Sequence, residues 1–320
     1  MNRHLRIGTR GSKLALAQAT SMEAAIRAAH PTLSVELIII QTKGDLVLDR
    51  ALSRIGDKGL FVTEIEQALL HGTIDLAVHS AKDLPSQTPD DLVLAAFPRR
   101  ADPRDVLISR HHCGLLQLPA HARIGTSSLR RACQLQALRP DCSIVNLRGN
   151  VDTRLRKAQG PDYDAIVLAA AGLERLELSG VITEVLPVEV MLPAVAQGAL
   201  ALECRAGDVT TLGYLQSLDD PLTRVAVLAE RAFLAHLQGG CQVPLAAFAT
   251  CDPATDQLVV RGLIGQPDGS SIIRGATQGP CAAAEPLGIA LAEELLSRGG
   301  FAILEQLSHL LPAVETPEEA

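Results

Sequence analysis

Three turns and one loop carry the side chains of this chain that could do chemistry. The first turn is "GTRGS", with Arg10 and Ser12, and the second is "HSAKDLP", with Ser80, Lys82 and Asp83. The third is "GTSSLRR", with Thr126, Ser127, Ser128, Arg130 and Arg131. Hydroxyls and free N–H groups at a helix start form a ready anion site. Two arginines in a first turn oppose the helix dipole, which favours negative charge there. Bound carboxylates or phosphates would offset that cost; a solvated arginine pair beside an N-cap is the other reading. Arg148 and Arg154 follow the next strand and either add donors on the same side or form a charged helix face. Lys82–Asp83 is either a surface ion pair or a carboxylate held among cations, able to stabilise a cationic intermediate. The loop is "HLQGGCQVPL", with Cys241 after two glycines. A helix C-terminus disfavours a thiolate, so Cys241 is a poor protease-type nucleophile. A structural thiol or one durable covalent bond fits better.

The elements that must position these groups alternate. "LRIGTR" predicts a strand and turn, "SKLALAQATSMEAAIRAA" a helix with Ser12 near its N-cap, "SVELIII" a strand, "VTEIEQALLHG" a helix and "DLAVHS" a buried strand. Between them, 41–61 is polar and glycine-spaced, and predicts a mobile loop. "AAFPRRADPRD" predicts a crossover, after which the pattern repeats: "ARIGTSS", "LRRACQLQAL", "SIVNLRG", "VDTRLRKAQ", "YDAIVLAA". The "IGT" of 7–9 recurs at 124–126, between strand and helix each time. Such alternation predicts two α/β lobes with parallel sheets. "LPAVAQGALALECR" can carry the chain back to the first lobe. From 222 the pattern changes to one amphipathic helix, three antiparallel strands with "QPDGSS" as a hairpin turn, and a helix ended by glycine. The expected units are 1–98 with 199–216, then 104–193, then a small α+β domain over 221–312, and a disordered tail at 313–320.

Composition limits the function classes. The net charge is −7, whereas a general nucleic-acid binder is usually basic, and 2% aromatic residues without Trp argue against a base-stacking platform. An acidic chain with clustered arginines points to a small polyanion. The start lacks a signal-peptide apolar region, and the longest apolar run, 165–173, is far short of a membrane span. A cytoplasmic protein is expected, with no membrane or nucleic-acid partner. Seven scattered cysteines without a C-x-x-C pair predict neither a disulfide framework nor a zinc site, and "HHC" at 111–113 predicts a surface loop.

"RIGTRGSKLALAQ", "GDKGLF", "AVHSAKDLP", "GTSSLRR", "LRGNVDTRL", "LPAVAQGALALECR" and "LQGGCQVP" occur in this order, from about Leu5 to about Leu311. Together they closely resemble the porphobilinogen deaminase (hydroxymethylbilane synthase) family. The resemblance implies two periplasmic-binding-protein-like lobes plus a small C-terminal α+β domain, acting as a monomer. It implies an enzyme that adds four porphobilinogens in turn, each losing ammonia, to a dipyrromethane cofactor held by a thioether at Cys241. Water then releases the linear tetrapyrrole. Each pyrrole carries an acetate and a propionate, which would account for the arginines. Carried over by motif, Asp83 is the catalytic carboxylate, contacting pyrrole nitrogens and stabilising an azafulvene cation. Lys82, Arg130, Arg131, Arg148 and Arg154 would bind cofactor and substrate carboxylates. Arg10, Ser12, Thr126, Ser128, Asn150, Arg175 and Gln197 would line the cleft, and Arg54 and Lys58 would sit in a lid. The chain departs from the family at Arg54, where Lys is frequent, at Asp152, where Gly is common, and at Ala81, where Met is frequent. Two rivals remain: a non-catalytic anion-binding protein, which needs neither Asp83 nor Cys241, and a cysteine-dependent acyl transferase, for which no base is assigned (His236 lies nearby in the chain).

Overall fold

The computed structural model describes residues 4–42, 62–238 and 243–310. The 41–61 loop from Lys43 on, with Arg54 and Lys58, lies outside the described residues, as do Cys241 and the tail from 311. The first lobe opens with β1 (His4–Thr9), α1 (Lys13–Ala29), β2 (Ser34–Ile39), α2 (Thr63–Leu70), β3 (Leu76–Ser80) and β4 (Leu92–Ala96). A crossover leads to β5 (Asp105–Ser109), β6 (Arg123–Gly125), α3 (Leu129–Leu138), β7 (Ser143–Val145), α4 (Val151–Ala158), β8 (Ala165–Ala169), α5 (Ala170–Arg175) and β9 (Glu184–Val185). The chain then returns through β10 (Leu200–Arg205) and α6 (Val209–Leu215).

The two five-stranded sheets share one plan, in the orders β2-β1-β3-β10-β4 and β7-β6-β8-β5-β9. The alternation predicts parallel sheets, but both are mixed. β10 runs antiparallel to β3 and β4, and β5 antiparallel to β8 and β9. The reason lies in the crossovers. Each antiparallel strand is the one arriving from the other lobe, so it enters where the parallel strands end. Leu200 pairs with Ser80, and Asp105 pairs with Ala169. Both entry points therefore lie at the carboxyl ends of the parallel strands, where open α/β sheets place their ligands.

The recurring "IGT" marks equivalent places in the two sheets. Gly8 pairs with Ala77 of β3, and Gly125 with Ile166 of β8. A Cβ at Gly8 would collide with the side chain of Ile74, and one at Gly125 would lie 2.7 Å from the ring of Tyr163. In the first lobe, Ile7, Leu76, Val78 and Leu202 pack under Met22 and Ile26 of α1, while Ile65 and Leu69 of α2 cover Ala77 on the other face. Leu107 and Val167 face one side of the second sheet, and Val106, Ile166 and Leu168 the other.

The third unit has α7 (Pro221–His236), an antiparallel sheet of β11 (Leu245–Asp252), β12 (Gln257–Gly265) and β13 (Ile272–Pro280), then α8 (Ala284–Leu295) and α9 (Phe301–Leu310). Its core joins Phe233, Val260, Leu291 and Leu295 with Phe97, Ala196 and Ala199 of the two crossovers. The helix expected to end at its glycines turns at Gly299, with a φ of 110°, and resumes as α9. One cysteine expectation is corrected: Cys251 and Cys281 form a disulfide. Cys251 pairs with Leu258 of β12, and Leu258 with Gly279 of β13, so the bond spans the sheet across its central strand. "HHC" is a turn in which His111 meets Asp164 at 3.1 Å. Among the described residues no cluster of His, Cys, Asp or Glu could hold a metal ion.

Candidate active site

A cavity of about 90 Å³ lies between the lobes. Leu14 and Gln18 of α1 and Ser80 and Lys82 after β3 come from the first lobe; Arg131, Val151, Arg154, Gly172 and Arg175 come from the second, and Gly198 from the returning crossover. Two of these helices enter through a side-chain cap. The Ser12 hydroxyl accepts from the Ala15 N–H at 3.2 Å to start α1. Ser128 accepts from the Arg131 N–H at 3.4 Å to start α3, and its own N–H donates to the buried Thr126 hydroxyl at 3.1 Å. These three hydroxyls therefore serve helix starts, while Gln18 and Ser80 bond to each other at 2.8 Å on the cavity wall.

The cavity is lined with cations taken out of water. Burial pulls the Lys82 ammonium below the ordinary lysine value, against the opposing pull of Asp83. Burial, then the nearby Arg131 charge, pulls Arg154 down; burial does the same to Arg175. Arg154 Nε donates to the Gly149 carbonyl at 2.7 Å, and Arg175 Nη2 to the Gly198 carbonyl at 2.7 Å. Burying a cation without full compensation is costly, so such a site favours a ligand that brings carboxylates. Asp83 sits exposed at the end of a single 3₁₀ turn, Ala81–Asp83, beside Lys82.

The two adjacent arginines part company. Arg131 lines the cavity, whereas Arg130 points behind it, with Nη1 donating to Asp105 Oδ2 and to the Leu192 carbonyl, both at 2.7 Å. Arg131 Nη2 donates to Asp105 Oδ1 at 2.7 Å and its Nη1 to the Val167 carbonyl at 3.0 Å. Gln197, also buried, donates to Asp105 Oδ1 at 3.0 Å. Asp105 thus answers the question raised by arginines at a helix start, since the counter-charge is internal. Sequence reading missed it; the one signal was an acidic residue opening the apolar strand "DVLIS". Arg10 and Arg148 are partly buried at the ends of β1 and β7, and Asn150 is exposed at the N-cap of α4. Asp152, in the first turn of α4, meets Lys13 of α1 at 3.7 Å, an exposed ion pair between the lobes.

A model of the porphobilinogen deaminase dipyrromethane-cofactor-binding domain matches residues 5–212, and one of the family's C-terminal domain matches 224–297. The chain belongs to the porphobilinogen deaminase family. A porphobilinogen deaminase of Roseiflexus sp. (strain RS-1) is 56% identical over 304 residues, covering 95% of this chain and 99% of the relative. One from Syntrophotalea carbinolica is 56% identical over 303 residues, covering 95% and 96%. One from Brevibacillus brevis is 50% identical over 302 residues, covering 94% and 97%. Among solved structures, the BenM effector-binding domain with benzoate aligns with a TM-score of 0.42 at 15% identity, covering 68% of this chain and 90% of that one. The porphobilinogen deaminase assignment makes the chain an enzyme of tetrapyrrole biosynthesis, and the cavity lies within its cofactor-binding domain. Among the described residues no helix is long and apolar enough to cross a membrane.

Proposed function

We propose that the chain joins four porphobilinogen molecules, with loss of four ammonia, into linear hydroxymethylbilane on a dipyrromethane attached through a thioether to Cys241. The observation that carries this reading is the convergence of Lys82, Arg131, Arg154 and Arg175 on one interlobe cavity, with Asp83 beside them. Burial depresses three of these cations, so a ligand with several carboxylates offsets the cost of burying them. Each pyrrole unit carries an acetate and a propionate, and this donor set fits them. When bound, the dipyrromethane supplies the pyrrole terminus on which the chain is extended.

The protein's own groups divide the remaining work. Lys82, Arg131, Arg154 and Arg175, with Arg10 and Arg148 at neighbouring strand ends, hold carboxylates and so fix the ring orientation. Arg130 and Gln197 support the cavity floor from behind, Ser12, Thr126 and Ser128 fix two of the helix starts that present the cations, and Asn150 contacts the cofactor at the start of α4. Asp83 holds a negative charge where the substrate becomes cationic as its amine leaves as ammonia. In our reading the working units are 1–98 with 199–216, 104–193 and 221–312, and the enzyme acts as a cytoplasmic monomer.

Intact mass tests the reading. The purified protein is expected to exceed its 33.9 kDa chain by one dipyrrole. Porphobilinogen should add a ladder of single pyrrole units that stops before a fifth. Peptide mapping should place the adduct on Cys241, and Cys241→Ser should abolish it. A bare chain mass in protein that still makes tetrapyrrole sinks the proposal. An adduct released by hydroxylamine would indicate an acyl transferase instead.

A further inference from the structure

Asp105 is the first residue of β5, at the point where the first crossover enters the second lobe. Its side chain is completely buried. It collects hydrogen bonds from three residues, two adjacent in α3 and one on the second crossover. Oδ1 accepts from Arg131 Nε at 3.1 Å, Arg131 Nη2 at 2.7 Å and Gln197 Nε2 at 3.0 Å, while Oδ2 accepts from Arg130 Nη1 at 2.7 Å. Burial alone would raise this carboxyl, but Arg130 and Arg131 outweigh burial and hold it well below the usual carboxylate range. The group is therefore a fixed anion that never faces the cavity.

Its geometry constrains Arg131 closely. One edge of the guanidinium, Nε with Nη2, is taken by Asp105, and Nη1 is also tied to the Val167 carbonyl. A planar fork held along one edge can present its remaining N–H groups in one direction only. The second crossover is drawn into the same knot. Arg130 bonds to the Leu192 carbonyl, and Gln197 bonds both to Asp105 and to the Pro103 carbonyl of the first crossover at 2.7 Å.

We infer that Asp105 is a positioning residue for tetrapyrrole assembly: it aims Arg131 at the pyrrole carboxylates and, through Arg130 and Gln197, locks that aim to the two crossovers joining the lobes. The inference rests on the proposed carboxylate role of the cavity. Loss of the Asp105 charge acts on the reaction through Arg131, and its effect vanishes when Arg131 has already been changed.

A double-mutant cycle decides this, with kcat/KM and the fraction of chains carrying the dipyrrole, read by intact mass, as outputs. Arg131→Lys and Asp105→Asn should each lower kcat/KM by roughly ten- to a hundredfold, the loss of a hydrogen bond to a charged group. The double variant should stay within about threefold of Arg131→Lys alone, the limit of ordinary additivity errors. Losses that multiply in the double variant overturn the inference and leave the site reading standing. An Arg131→Lys variant with wild-type kcat/KM and loading removes the site reading first, and this inference with it.

Asp75→Asn is the control for stability alone. It removes a largely buried carboxylate that binds Arg6 at 2.8 Å and Arg205 at 3.1 Å outside the cavity. It should melt at a lower temperature yet carry the dipyrrole fully, whereas Asp105→Asn should be underloaded. Equal underloading at equal melting temperature would reduce Asp105 to a scaffold role. If Asp105→Asn does not fold, Asp105→Glu keeps the charge, displaces the fork, and runs through the same cycle.

Discussion

Two side chains of opposite charge, Lys82 and Asp83, share one 3₁₀ turn. Asp83→Ala should fold as the wild type does and lose kcat by on the order of 10²–10³-fold, the usual scale for one electrostatic group facing developing charge. Turnover within a few-fold of wild type in a folded variant would remove Asp83 from the chemistry. For Lys82 the sign of the pH dependence follows from burial. Its ammonium form is disfavoured, so it loses its proton at lower pH than an ordinary lysine with pKa 10.5. In the proposed role, carboxylate binding by Lys82 should be present below that lowered pKa and lost as pH rises through it. Folding stability moves the other way: between the lowered pKa and 10.5 the unfolded chain binds the proton more tightly, so stability rises with pH. Lys82→Arg keeps its charge at alkaline pH, so the alkaline limb of kcat/KM should shift upward; an unmoved limb assigns that limb to another group. Both residues were legible because they are adjacent and follow a buried strand. The division between Arg130 and Arg131 was not: neighbours on a helix point about 100° apart, and only the packed crossovers reveal which one faces the cavity.

At the scale of elements, the helix starts and strands were readable because their signals are local. Ser12 and Ser128 cap the helices assigned to them, and the repeated "IGT" does mark equivalent turns. The mixed sheets were not readable, because strand direction depends on where a crossover enters rather than on residue pattern. Asp105 was missed for a related reason: its partners lie 25, 26 and 92 residues away in the chain. The Cys251–Cys281 bond likewise depends on the register of β11 and β13 about β12. It closes a 30-residue separation, which in the chain-entropy description stabilises the C-terminal unit by roughly 3–4 kcal/mol. Denaturant unfolding with and without dithiothreitol should show a loss of that order, and Cys251→Ser should show none on further reduction. A wild-type midpoint unmoved by reductant, with thiol counting confirming that the bond has opened, removes this contribution. The exposed Lys13–Asp152 pair belongs to the weaker class: Asp152→Ala should change stability by about 1 kcal/mol or less.

At the scale of the whole molecule, three units meet at two short crossovers, and one buried carboxylate ties them together. Glu230 of α7 takes Arg100 of the first crossover, the Ala196 N–H of the second at 2.6 Å and the Ala249 N–H of β11 at 2.8 Å. The crossovers touch at Gly198, whose carbonyl accepts from Ala101 N–H at 3.2 Å and from Arg175. Gly198 has a φ of +89°, and a Cβ there would lie 2.6 Å from the Ala101 carbonyl oxygen, a backbone atom that cannot step aside. Gly172, on the opposite cavity wall in α5, differs on both counts. It has no positive φ, and a Cβ would rest in ordinary contact with Leu14 and Val151, at 3.8 and 3.9 Å. The two alanine substitutions therefore separate the hinge from the cavity. Gly198→Ala should cost roughly 1–2 kcal/mol for the left-handed backbone alone, more for the clash, and should lower kcat and stability together. Gly172→Ala should leave stability unchanged or raise it by about 0.5–1 kcal/mol, as for glycine replaced within a helix, while the added methyl narrows the cavity and raises KM for porphobilinogen. Melting curves and steady-state kinetics on both variants check the pair. A Gly172→Ala enzyme with unaltered kinetics would place the pyrroles elsewhere than between Leu14 and Val151, and a fully stable Gly198→Ala enzyme would mean that the crossovers have room to part.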